Sequence, residues 1–145
     1  MQRHDIEVRS EWDASLESFL ALRLYEFNSR ATGLFDGAAV TASIEDDAGR
    51  IVAAISGHTW GGTCQVTYLW VEERHRRSGL GRALLNAVEA EARRRECRQV
   101  ILFTRTFQAP AFYERLGYLL KCAIPDYPSG HAQLLYVRQL EVDAA

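Results

Sequence analysis

A basic turn punctuated by Gly79 and Gly81 constrains this chain more than any other stretch. It joins a run rich in β-branched and aromatic residues, Thr63–Val71, to a run with Leu80, Leu84, Ala87, Val88 and Ala92 at helical spacing. A strand that turns directly into a helix offers unsatisfied N–H groups and a partial positive charge, which together attract phosphate. Glycine at positions 79 and 81 permits backbone conformations and close approaches that side chains block. Arg76, Arg77 and Arg82 add charge-assisted contacts. The turn therefore suits a polyphosphate or pyrophosphate. A dinucleotide fingerprint needs a third glycine where Leu84 stands, and a P-loop needs a Gly-Lys-Ser/Thr ending that is missing. A bare nucleic-acid patch leaves both glycines without a purpose, and a merely solvated turn is the plain alternative.

Composition narrows the setting. The chain has 145 residues, the size of one domain, so 1–145 is expected to fold as a single domain. A net charge of −2 gives no general attraction to nucleic acid or to an anionic membrane. Cys64, Cys97 and Cys122 are odd in number and widely spaced, unlike a zinc site or a disulfide framework, so no metal is expected. The start lacks an apolar signal core, and no apolar run nears the ~20 residues of a membrane helix. A cytoplasmic location is the expectation.

The pattern along the chain predicts β-α-β-β-β-α-β-α-β-β. Ile6 and Val8 alternate with charged residues as a short first strand over 5–9. Ser10 and Asp13 read as a helix N-cap signature ahead of a stripe of Trp12, Leu16, Phe19, Leu20, Leu24 and Phe27. Residues 28–37 are a loop or a short second helix. Strands over 41–45 and 50–56 flank the hairpin signal Asp46-Asp47-Ala48-Gly49, and Gly57 with Gly61-Gly62 brackets the next turn. The helix from Leu80 ends in Arg93, Arg94 and Arg95, read as solvated charges near a negative dipole end. Residues 99–103 suit a strand buried on both faces. Pro110 starts a helix that Gly117 caps, and strands over 119–124 and 133–140 follow. Residues 142–145 read as frayed.

Two motifs then resemble one family. Arg76-x-x-Gly79-x-Gly81 followed by Ala83-Leu84-Leu85, with Val71 five residues ahead, resembles motif A of the GNAT acetyltransferase superfamily. Phe112-Tyr113-x-x-x-Gly117-Tyr118 resembles its motif B, in the right order after one intervening strand. The resemblance implies an α/β (α+β) GNAT fold: a mixed, mostly antiparallel sheet flanked by helices, with two central strands splayed to bind acetyl-CoA. It implies transfer of an acetyl group from acetyl-CoA to an amine by direct attack, with a backbone N–H near Val71 for the oxyanion. Leu69, Trp70 and Val71 would line the pantetheine arm, and Arg76, Arg77, Ser78, Gly79, Leu80 and Gly81 the pyrophosphate. Tyr113 matches the family's general acid, and a packing role for its ring is the alternative.

The chain also departs from the family pattern. Gln65 stands where many members carry a basic glutamate, and Thr106 where an asparagine is common. Gln108-Ala109-Pro110 and Pro128-Ser129-Gly130-His131 resemble a subgroup of small bacterial members. The base is left open among His58, Glu72, Asp126, His131 and water. Tyr25 and Asn28 are candidates to reach the acceptor, with packing or capping the simpler role. The expected partner is a small-molecule amine or a protein amine, with no nucleic acid and no membrane, and a homodimer stays open. A coenzyme A-binding sensor or interaction module of the same fold is the alternative to an enzyme.

Overall fold

The computed structural model describes residues 3–141, so residues 142–145, read above as frayed, lie outside the described residues. Two compact units divide the chain, one ending at Leu34 and one beginning at Phe35. Among the described residues the first unit holds one helix, α1 (Ala14–Thr32). Asp13 caps it, with Oδ1 accepting the Leu16 N–H at 3.0 Å, so the cap lies three residues beyond Ser10. Gly33 closes it at φ 75°, its N–H reaching the Ser29 carbonyl. The helix thus absorbs residues 28–32, which the pattern left undecided.

Two expectations fail in this unit. Residues 5–9 form no strand, and Ile6 and Val8 are exposed. Alternation alone does not make a strand, because the ladder needs a neighbouring edge to accept its hydrogen bonds. The predicted stripe is helical, yet Leu16, Phe19, Leu20, Leu24 and Phe27 are all exposed.

The second unit is built on one six-stranded sheet. Its strands are β1 (Ala38–Glu45), β2 (Ile51–Trp60), β3 (Thr63–Val71), β4 (Gln99–Arg105), β5 (Leu119–Pro125) and β6 (Ala132–Gln139), in spatial order β1-β2-β3-β4-β6-β5. Among the described residues only β3 and β4 pair in parallel. Asp46 shapes the first hairpin, its Oδ1 accepting the N–H groups of Ala48 and Arg50 at 2.9 and 3.0 Å. These bonds and the Arg50 side chain hold its carboxyl below the usual range. The strand expected to stop before Gly57 runs on to Trp60, so the turn belongs to Gly61-Gly62 alone.

Helix α2 (Leu80–Arg94) crosses β3 to β4 and packs on β1, β2 and β3. Its Leu84, Leu85, Val88 and Ala92 meet Ala53, Ile55, Cys64, Val66, Val100 and Leu102 in one core. In β4, Val100, Leu102 and Thr104 are buried while Phe103 is exposed, so one face is covered rather than both. Arg95 corrects a further expectation. Its guanidinium donates to the Ala39 carbonyl at 2.9 Å and the Thr59 hydroxyl at 3.1 Å, tying the end of α2 to β1 and β2. A short helix, α3 (Pro110–Arg115), follows β4, with Gly117 at φ 90° as the left-handed stop. Among the described residues no helix is long and apolar enough to cross a membrane, and no acidic, histidine and cysteine cluster suits a metal.

Candidate active site

The sheet opens in its own middle. β3 and β4 pair only from Thr63↔Gln99 to Val66↔Leu102. Beyond that point β3 continues to Val71 alongside β2, and β4 continues to Arg105 alongside β6. Tyr68, Leu69, Trp70 and Val71 therefore face Phe103, Thr104 and Arg105 across a wedge. Such strand edges carry N–H and C=O groups at the spacing of an extended amide chain.

A bulge sets where the wedge begins. Ser56 faces Tyr68 and Gly57 faces Val66, which leaves Thr67 as an extra residue in β3. It follows directly on the last β3–β4 pair. Gly57 is obligatory there, because a Cβ would lie 2.2 Å from the Gln65 carbonyl oxygen. Sequence reading placed Gly57 in a turn and missed this role.

The wedge ends at the glycine-punctuated turn. Val71 closes β3, residues Glu73–His75 form one 3₁₀ turn, and α2 starts at Leu80. Arg76 Nε donates to the Val71 carbonyl at 3.0 Å, and the Ser78 hydroxyl donates to the His75 carbonyl, so the turn is braced from within. Arg77 and Gly79 adopt φ of 63° and 87°. No side chain caps α2, and its ladder starts with Ala83 N–H to Gly79 O at 3.0 Å. The N–H groups of Leu80, Gly81 and Arg82 thus precede the ladder. A Cβ at Gly79 would meet nothing within 4 Å. Uncapped donors, a positive helix end and open space fit a pyrophosphate.

Gly81 acts differently. Its φ is ordinary, but a Cβ there would lie 3.4 Å from the Phe112 ring and 3.6 Å from Val71 Cγ2. Close approach at Gly81 thereby brings motif B onto motif A. Tyr113, next to Phe112, packs edge-on against Phe112 and Tyr118 at 5.1 and 5.8 Å. Burial pushes its phenol up to about 12, so it stays protonated at neutral pH.

The base candidates separate by position. Glu72 lies 3.1 Å from Arg74 Nη2 and 3.0 Å from His75 Nδ1, and the Arg74 bond chiefly holds its carboxyl below the usual range. A carboxylate held that acidic is a weak base. His58 is exposed and pairs with Gln65, on the closed side of the bulge. Asp126 and His131 flank the β5–β6 turn, joined by Asp126 N–H to His131 O at 2.9 Å. His131 Nδ1 lies 3.5 Å from the Thr106 hydroxyl, and its ring meets Phe107 edge-on at 4.9 Å. Thr106 also accepts the Ala132 N–H at 3.2 Å, so it anchors this turn to the end of β4. Tyr25 and Asn28 belong to the first unit, where the Asn28 carbonyl accepts the Thr32 hydroxyl at 2.7 Å.

A cleft of about 220 Å³ opens between Arg105, Phe107, Tyr127 and Pro128. The Arg105 guanidinium stacks 4.7 Å from the centre of the Tyr127 ring. Sequence reading passed over this cluster because its two halves, the end of β4 and the β5–β6 turn, lie about twenty positions apart.

Comparison with known proteins agrees with this architecture. Residues 6–118 match the acetyltransferase (GNAT) family. Blasticidin-S acetyltransferase of Streptomyces morookaense is 40% identical over 93 residues, covering 63% of this chain and 68% of the relative. An acetyltransferase of Agrobacterium fabrum is 31% identical over 106 residues, covering 73% and 77%. The crystal structure of an acetyltransferase from Bacillus cereus superposes with a TM-score of 0.77 at 24% identity, over 92% of this chain and 98% of that one. Acetyl-CoA is the acyl donor of this family and amines are its acceptors. With the family motifs on a wedge of this kind, the chain belongs to the GNAT acetyltransferases.

Proposed function

We propose that this enzyme moves an acetyl group from acetyl-CoA to a small-molecule amine by direct attack. The observation that carries the reading is the wedge ending at an uncapped helix. The strand edge of Leu69, Trp70 and Val71 would hold the pantetheine arm, and Arg76, Arg77, Ser78, Gly79, Leu80 and Gly81 the pyrophosphate. Acetyl-CoA supplies an activated thioester when bound there. Tyr113 Oη carries a proton at neutral pH, as any phenol does, and would share it with the departing thiolate. His131 is the base we assign, because Thr106 fastens its turn to the end of β4. A backbone N–H near Val71 would face the oxyanion.

An antibiotic-like amine is the acceptor class we favour. The reading is supported by the 40% identical relative named for blasticidin S and by the cleft of Arg105, Phe107 and Tyr127 beside His131. Thiol release from acetyl-CoA tests it against blasticidin S, free amino acids and peptides with a free N-terminus or lysine. Turnover with blasticidin S and none with the peptides is the expected result, and the reverse overturns the acceptor class. Saturating acetyl-CoA should also raise the melting temperature, since a ligand at 100 times its Kd stabilises by about 2.7 kcal/mol. No shift at millimolar acetyl-CoA would remove the donor site.

A further inference from the structure

Among the described residues three arginines are half-buried: Arg95, Arg105 and Arg138. Arg95 ends on Glu91 at 3.3 Å, and Arg138 ends on Glu89. Arg105 ends on no acid, because among the described residues no carboxylate lies within ion-pair distance of it. Its guanidinium instead stacks 4.7 Å from the centre of the Tyr127 ring, over the cleft that Phe107 and Pro128 complete. A cation drawn partly out of water with no acid beside it is costly to keep. Neither the assigned acid nor the assigned base of the reaction makes use of it.

Backbone hydrogen bonds fix both walls of this cleft. Arg105 pairs with Gln133 on β6, its N–H donates to Gln108 Oε1 at 2.8 Å, and its carbonyl accepts the Gln108 N–H at 2.9 Å. The opposite wall is the β5–β6 turn, closed by Asp126 N–H to His131 O and by His131 N–H to Pro128 O, both at 2.9 Å. Thr106 N–H donates to the Ala132 carbonyl at 3.0 Å and locks the two walls together. A guanidinium stacked on a ring still has its N–H donors free in its own plane, in a fork that matches a carboxylate. Phe107 and Tyr127 flank that fork with apolar surface, and Phe107 also meets the His131 ring edge-on at 4.9 Å. One continuous surface thus carries a cation, two rings and the assigned base.

We infer that Arg105 determines specificity, and that the acceptor is an amine carrying a carboxylate which this guanidinium receives. This rests on the reading of the cleft as part of the acceptor pocket. The amine lies toward His131, the acid toward Arg105, and the body between them lies against Phe107 and Tyr127. Charge complementarity separates this occupant from a plain aromatic amine, which the rings alone would take, and from a polyamine, which Arg105 repels. The phosphates of the donor are a different claim, since the uncapped start of α2 follows β3 whereas Arg105 ends β4.

Two probes of one shape test it: 4-(aminomethyl)benzoate, and 4-(aminomethyl)benzamide, in which a neutral amide replaces the charge. Chemical-shift titration by NMR reads the Kd of each. The benzoate should bind the wild type at least about tenfold more tightly, as expected of hydrogen bonds to a charged partner. Arg105→Gln should cut that preference to about twofold or less, and Arg105→Lys should keep part of it, because the charge stays and the fork is lost. The acetyl-CoA Kd should be the same in all three proteins. Equal affinities in the wild type, a preference that survives Arg105→Gln, or no binding of the benzoate at tens of millimolar overturns the inference without touching turnover of the amine panel. Weaker acetyl-CoA binding in Arg105→Gln also overturns it and gives the guanidinium to the donor. Should Arg105→Gln fail to fold, Arg105→Lys decides, and an undiminished preference there refutes the fork. The reading beneath fails in a separate way: no amine of the panel releases thiol while the benzoate preference persists. The cleft then holds an anion that is no acceptor, and the inference falls with that reading.

Discussion

The closed and open halves of β3 and β4 come from the same two strands and differ in almost everything else. In the closed half, residues 63–66 pair with residues 99–102, and Cys64, Val66, Val100 and Leu102 are buried against α2. In the open half the ladder is absent, Tyr68, Trp70 and Phe103 are exposed, β3 ends at the glycine-punctuated turn, and β4 ends beside the β5–β6 turn. One extra residue, Thr67, separates the two regimes. The difference teaches that the same two strands can spend their backbone hydrogen bonding on each other or withhold it. Backbone groups that would stabilise the sheet are kept from each other, and in the proposed function they are left to the donor's amide arm.

The comparison predicts that stability and activity can be damaged separately, and the largest effect should come at the open end. Tyr113→Phe should cut kcat by about 10²–10⁴-fold with the melting temperature and acetyl-CoA affinity nearly unchanged, because the ring and its packing remain. A large loss of thermal stability instead would mark Tyr113 as a core residue and blur the division between the halves.

Next comes the boundary itself. Gly57→Ala forces a methyl onto the Gln65 carbonyl at 2.2 Å, so the bulge must shift or the strand must slip. A loss of about 3 kcal/mol is expected, near the upper end for overpacking, together with weaker acetyl-CoA binding. Chemical denaturation and calorimetric titration measure both. An unaffected affinity would show that the wedge does not depend on the bulge.

Gly79→Asp sharpens the comparison from the ligand's side. The space around that position is open, and aspartate tolerates positive φ better than most residues. Its carboxylate would sit at the helix end in place of a phosphate. The thermal shift given by acetyl-CoA should vanish, while the melting temperature without ligand falls by only a few degrees. An undiminished shift would move the pyrophosphate away from α2.

The smallest effect concerns alkali. Burial raises Tyr113 to about 12, and burial with the Glu114 bond raises Tyr136 to about 12. Both phenols are therefore more acidic unfolded, near 10. Their contribution is full below about pH 10 and is lost as pH rises toward 12. Tyr113→Phe should flatten part of that decline in denaturant melts at pH 9 and 11.5, and an identical slope would indicate that its hydroxyl meets water.

Much of the second unit was legible because its signals are local. The hairpin at Asp46, the stop of β3 at Val71, the start of α2 at Leu80 and the left-handed stop at Gly117 each depend on residues within a few positions. What escaped depends on contacts across the sheet. Gly57 resembles a turn glycine until Gln65 is placed beside it, and Arg95 resembles a solvated charge until Ala39 and Thr59 come near. The Arg105–Tyr127 cleft joins two segments that no short motif spans. In the first unit, periodicity found the helix and its stripe, but a period says which residues share a face and not what covers it. The strand expected at residues 5–9 failed for the same reason.

The contact between Gly81 and Phe112 joins the two family motifs in space. A bulkier residue at 81 would push against the ring, and a smaller one at 112 would leave a hollow over the first turn of α2. A methyl at 81 would sit in ordinary contact with the ring, so only longer side chains there depend on what stands at 112. Anyone transplanting the glycine-punctuated turn into another scaffold would leave behind the ring that the first turn of α2 leans on.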